Sequence, residues 1–270
     1  MLDAIRSELL KTATTRAWWV LAIILFGYVG LTSAGLGVLF IVIGDQADGP
    51  AGPAIPADIV PPLVYSIATA VGYVFPLMFG ALASTSEFRH QTLTPTLLAV
   101  PRRATVLAAK LVASALWGFV FAVVALAASV GVGALALGIV GADTQLASPD
   151  TWALIGRIVL ALVLWTVLGV GLGVLIPNQV AVIVIVLAFT QFVEPLLRLA
   201  SSFWEWSARI GGFLPGSASD ALVGSSVFTS FSGAAATEAL EWWQGGLVLG
   251  GYAVLFVVAG ALTTWRRDVT

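Results

Sequence analysis

Six long apolar runs separated by short polar intervals organise this chain. A helix of roughly 20 apolar residues crosses a bilayer, so the pattern predicts six transmembrane helices. They fall at about 17–43, 63–85, 111–142, 152–176, 179–199 and 242–265. The uncharged interval from 158 to 193 is too long for one helix and divides at Pro177–Asn178. Before the first run, Leu2, Ile5, Leu9 and Leu10 share a helical face, whereas Arg6, Lys11 and Arg16 point elsewhere. Residues 1–16 therefore read as an amphipathic helix along the membrane surface, not as a cleaved leader. The predicted fold is an all-α integral membrane protein in one domain, 1–270.

Interruptions inside the runs add detail. Pro76 lacks a backbone donor and is expected to kink the second span. The third run is longer than one crossing needs, so its outer end is expected to project or bend. Gly131, Gly133, Gly138 and the pairs Gly169/Gly173 and Gly246/Gly250 are candidates for close helix approach. Residues 194–241, with Trp204, Trp206 and Phe213, are too broken for a span and too apolar for a free loop. Short helices in or on the outer leaflet satisfy both constraints.

Composition agrees: 59% of residues are hydrophobic, 10% are charged, and the mean hydropathy is +1.02. The placement of charge sets an orientation. Nine of the twelve cations, Arg6, Lys11, Arg16, Arg89, Arg102, Arg103, Lys110, Arg266 and Arg267, lie on the side of the termini. That side is expected to be cytoplasmic, at a plasma membrane. The absence of cysteine excludes disulfides and thiolate sites, and one histidine, His90, excludes a multi-histidine metal centre. No phosphate-binding loop surrounds either lysine. Any ATP chemistry must then come from another chain, and no catalytic residue, metal, cofactor or nucleic-acid partner is expected in this one.

Within the spans, Tyr73, Phe75, Met78 and Phe79 of the second and Phe189, Gln191 and Phe192 of the fifth can line a path for a lipophilic solute; they can equally be packing or lipid-facing groups. Glu194 and Arg198, one turn apart, are expected to pair at the outer interface. Between spans two and three lies SEFRHQTLTPTLLAVPRRATVLAAK, residues 86–110, the only internal segment that gathers several cations. There Thr94 can cap a short helix, Pro95 fits its first position, and Pro101 ends it. Such a helix is either a docking knob for a partner or a spacer between cations that merely fix topology.

This segment resembles the first cytoplasmic loop of the permease subunits of bacterial ABC-2 type ABC transporters, in the actinobacterial style. The lead-in SELLKTATTRAWWVL, residues 7–21, resembles that family's amphipathic connecting helix, and FLPGSASDAL, residues 213–222, its outer loop before the last span. The chain departs at His90–Gln91, where a glycine often stands before the threonine matched to Thr92. The resemblance implies that the helix 95–100, including Leu97 and Leu98, is a coupling helix seated in an ATPase subunit. Glu87 and Arg89 would brace the second span, and Arg102, Arg103 and Lys110 would anchor the loop at lipid headgroups or face the ATPase. It further implies two ATPase subunits carrying Mg-ATP and a second permease, identical or related, with spans two and five lining the path between permeases. The alternatives are a non-transporting six-span sensor or assembly factor and a membrane-embedded lipid-modifying enzyme.

Overall fold

The computed structural model describes residues 1–46, 56–201, 210–225 and 240–264, which are helical and contain no strand. Helix α1 (Leu2–Ala13) precedes α2 (Ala17–Gln46), the first span. The second span is α3 (Val60–Ala70) followed by α4 (Val74–Arg89). After the short α5 (Leu93–Ala99), the third span runs through α6 (Arg103–Leu126), a π-helical turn (Ala127–Val132) and α7 (Gly133–Ile139). The fourth is α8 (Pro149–Leu175). The fifth combines α9 (Gln179–Ala188), a second π-helical turn (Phe189–Val193) and α10 (Glu194–Ser201). A short α11 (Pro215–Val223) leads towards the last span, α12 (Trp242–Leu262). Six helices are thus long and apolar enough to cross a membrane. Trp204, Trp206, Arg209, Arg266 and Arg267 lie outside the described residues, as does most of the loop between spans one and two.

The second span breaks where Pro76 acts, which is four residues before the proline itself. Pro76 offers no N–H to the Gly72 carbonyl and its ring crowds that oxygen. Accordingly α3 stops at Ala70 and α4 restarts at Val74. Gly72 suits this turn, because a Cβ there would strike the Ala68 carbonyl oxygen. The third span starts at Arg103, about two turns earlier than its hydropathy predicts. The helix passes through Lys110 because counter-ions await that side chain inside the fold.

Helix α8 is the hub, packed against α4, α6 and α12. In the most apolar stretch of each span, 67% of the second and 61% of the fourth are buried within the chain, against 22% of the fifth and sixth. Spans two and four therefore form the interior, and five and six present open faces. Close contact between α4 and α8 depends on missing side chains. Gly80 faces the Thr166 carbonyl, and Gly169 and Gly173 face the carbonyls of Leu77 and Ala81. Gly246 lies against Leu222 and Gly133 against Val64, whereas Gly131, Gly138 and Gly250 have no neighbour within 4 Å of a built Cβ.

Candidate functional site

Four charged side chains meet at the end of the bundle that carries α1 and α5. Lys110, 2% exposed, donates from Nζ to Glu8 Oε2 at 2.5 Å and lies 3.1 Å from Glu87 Oε1. Lys11 Nζ donates to Glu8 Oε1 at 2.6 Å, to Glu87 Oε1 at 3.0 Å and to the Thr96 hydroxyl at 3.1 Å. Two lysines thus balance two carboxylates, and the group joins α1, α4, α5 and α6. Glu87 Oε2 alone accepts no hydrogen bond. Trp117 Nε1 adds a bond to Thr12 Oγ1 at 2.6 Å, so α1 is held to α6 at two places a turn apart. Lys110, assigned by resemblance to headgroups or a partner, is instead the internal member of this cluster.

The cluster makes docking of α1 sensitive to pH at the extremes. Burial alone would raise the Glu8 carboxyl, but the Lys110 charge and the bonds from both lysines outweigh it and hold the group below its ordinary 4.5. Burial would likewise lower Lys11, but its bonds and charge interactions with Glu8 and Glu87 hold it above 10.5. A depressed acid contributes stability that is complete above 4.5 and lost as pH falls through its folded value; a raised base contributes stability complete below 10.5 and lost as pH rises through its own. Hydrogen exchange of residues 2–13, corrected for intrinsic rates, is therefore expected to stay flat between those limits and to accelerate beyond either.

Helix α5 begins at Leu93, with Thr92 as N-cap, two residues ahead of the expected start. Pro95 then occupies the third position of the first turn, where the missing N–H is harmless because those donors have no helical acceptor. Leu93 explains the shift. It is buried with Val106, Leu107, Val170 and Val174, which draws the helix start inward. Thr94, Pro95 and Leu98 face outward, Leu98 being 80% exposed. The Leu97 side chain lies outside the described residues. Gln91, where the resembling family often has glycine, adopts φ +52°, the left-handed conformation that glycine favours. Pro101 separates α5 from α6, and Arg102 forms the N-cap of α6. Arg89, at the end of α4, donates to Gln179 Oε1 at 3.0 Å and so links the ends of spans two and five.

The aromatic candidates divide between interior and surface. Phe79 packs between Trp117 and Phe121, with centroids 5.4 and 5.1 Å away. Tyr73 lies on Trp165 at 4.5 Å and donates to the Thr190 carbonyl at 3.4 Å. Phe75 meets Tyr28, and Met78 packs on the core. On the fifth span Phe189 is half-buried, whereas Gln191 and Phe192 are exposed within the π-helical turn.

A second charged cluster occupies the opposite end. Glu194 Oε1 accepts from Arg198 Nε and Nη2 at 3.2 and 2.9 Å, and also from the backbone N–H groups of Gly216 and Ser217 at 2.6 and 3.1 Å. It therefore caps the N-terminus of α11, where a negative charge is favoured. Arg198 Nη1 donates to Asp220 Oδ2 at 2.6 Å. The Glu194–Arg198 spacing was legible as an i,i+4 pair; nothing local pointed to Asp220 or to the α11 N-terminus. No known protein family and no curated protein is matched by this chain.

Proposed function

We propose that the chain is the permease subunit of an ATP-driven exporter of the ABC-2 type, its basic end cytoplasmic, moving a lipophilic substrate with energy from a separate ATPase pair. The observation that carries this reading is the mounting of α5. Its outer face presents Thr94, Pro95 and Leu98, while Leu93 and the Thr96–Lys11 bond tie its inner face to α1, α4 and α6. A push on such a helix cannot be absorbed locally. It passes through Lys11 and Glu87 to the end of the second span, the most deeply buried with the fourth. Nucleotide binding in the partner would bias two packings of the bundle, a switching step with no chemistry in this chain. Arg102, Arg103 and Arg89 supply positive charge around the knob. The exposed faces of spans five and six suit a second permease, identical or related, and surrounding lipid.

Leu98→Glu tests the reading. Substitution of an exposed residue changes stability by roughly 0.5 kcal/mol or less, so the variant is expected to fold and to insert. Co-purification with a co-expressed ATP-binding-cassette subunit, and export, are both expected to fall at least about tenfold. Retention of both activities overturns the assignment of α5.

A further inference from the structure

From the exposed amide of Gln191 we infer that the fifth span carries a self-pairing surface, on which a second copy of this chain docks about a two-fold axis through its own Gln191. Gln191 is exposed, and its side-chain amide makes no hydrogen bond to another described residue. The other amides of the spans, Gln179 and Gln244, lie in the first turns of their helices. Gln191 lies deep. It is twelve residues, roughly 18 Å of helix rise, from Gln179 and seven residues, roughly 10 Å, from Arg198. With a hydrocarbon core roughly 30 Å thick, the amide sits at the level of the acyl chains.

The local fold explains why a polar side chain points outward here. Val182, Val186, Thr190 and Glu194, spaced four residues apart, are all buried. Positions four apart drift around a helix of 3.6 residues per turn. The wider π-helical turn (Phe189–Val193) absorbs that drift and keeps Glu194 aimed at the N–H groups of Gly216 and Ser217. Gln191, Phe192 and Val193 are thereby left together on the outside, Phe192 being 70% exposed. Ala188, one turn earlier, is exposed as well and small enough to let a second backbone come close.

The chemistry of this face selects its occupant. An amide carries both donors and an acceptor, and leaving them without partners in hydrocarbon is costly. Every other exposed residue between 180 and 200 is apolar, so nothing calls for a charged partner. A lipid tail supplies neither donor nor acceptor, whereas an identical amide supplies both. A two-fold contact sets a residue near the axis against its own copy, so Gln191 facing Gln191 satisfies the two amides with two hydrogen bonds. Only 22% of the most apolar stretch of this span is buried within the chain, which leaves the face open to that copy. The pairing makes the second permease of the transport reading an identical one. The two readings fail separately: an ineffective Leu98→Glu leaves this contact intact, and a monomeric chain leaves the mounting of α5 intact.

The chain contains no cysteine, so a single-cysteine variant reports on one position. In membranes that contain this chain alone, Ala188→Cys keeps the amide and is expected to give a disulfide-linked dimer on oxidation. Leu247→Cys on α12, at a position 66% exposed, is the control and is expected to remain monomeric. Affinity is read by energy transfer between two labelled pools of the full-length chain in phosphatidylcholine vesicles, diluted with lipid. Gln191→Leu places an apolar side chain at an exposed position and is expected to insert normally. It should raise the protein density at half-association by about five- to tenfold, the worth of two interhelical hydrogen bonds. No cross-link in Ala188→Cys, equal cross-linking in Leu247→Cys, a cross-link that forms only when a second, related permease is co-expressed, or an unchanged midpoint in Gln191→Leu each overturn the proposal.

Discussion

Lys110→Met is expected to destabilise the protein by about 3–5 kcal/mol, the loss seen when one partner of a buried ion group is removed. The lysine is 2% exposed and sits between Glu8 and Glu87. Once it is gone, Lys11 alone faces both carboxylates, and Lys11 is the more exposed of the two bases, with a side chain 35% accessible. The loss arises from charge left uncompensated, not from lost packing, since methionine fills nearly the same volume. A second variant separates these causes. Lys110→Met combined with Glu8→Gln removes one charge of each sign and leaves the Lys11–Glu87 bond of 3.0 Å in place. Most of the lost stability should return. Denaturant unfolding in detergent micelles measures both, and equal midpoints for Lys110→Met and the parent would show that the cluster contributes nothing to stability.

Gly169→Val is the second substitution with a large expected effect. A Cβ on Gly169 would fall on the Leu77 carbonyl oxygen, with the Leu77 carbonyl carbon 2.9 Å and the Ala81 nitrogen 3.1 Å away. These are backbone atoms of α4, so no side-chain rotation relieves the clash, and α4 must move away from the hub helix. Overpacking of this kind costs about 1–3 kcal/mol and more where the neighbour cannot yield. Gly250→Ala is the matched control. It shares the same four-residue glycine spacing, yet nothing lies within 4 Å of its built Cβ. A helical alanine in place of glycine should raise stability there by about 0.5–1 kcal/mol. Thermal unfolding should therefore rank Gly250→Ala at or above the parent and Gly169→Val several degrees below it; the reverse order would mean that α4 and α8 are not in close contact.

The two glycine pairs also show how far local pattern reaches. Both match one spacing, yet Gly169 and Gly173 both meet the backbone of α4, whereas in the other pair Gly246 meets only the Leu222 side chain and Gly250 meets nothing. Hydropathy is similarly blind to Lys110. Summed along the chain, a lysine ends a span, and so the third helix reads as starting at 111. In the fold that lysine meets two carboxylates from helices 102 and 23 residues away in sequence, and the helix continues through it. Glu194 and Arg198 pair as their spacing predicts. Their partners Asp220 and the Gly216 N–H come from beyond a long segment and have no signature at position 194. In α5, the residues that look like punctuation, Thr94 and Pro95, matter less for its start than the burial of Leu93.

From the amino-acid sequence alone came six membrane-crossing helices, the amphipathic lead-in, the basic end and the short helix between spans two and three. Each of these depends on summed apolar area or on residues within a few turns, quantities that a one-dimensional chain already contains. Tertiary structure decided which spans lie inside, which glycines touch, and which charges are buried in company. Those outcomes depend on pairs brought together from distant positions, and the free energy of a buried charge is set by its neighbours in space.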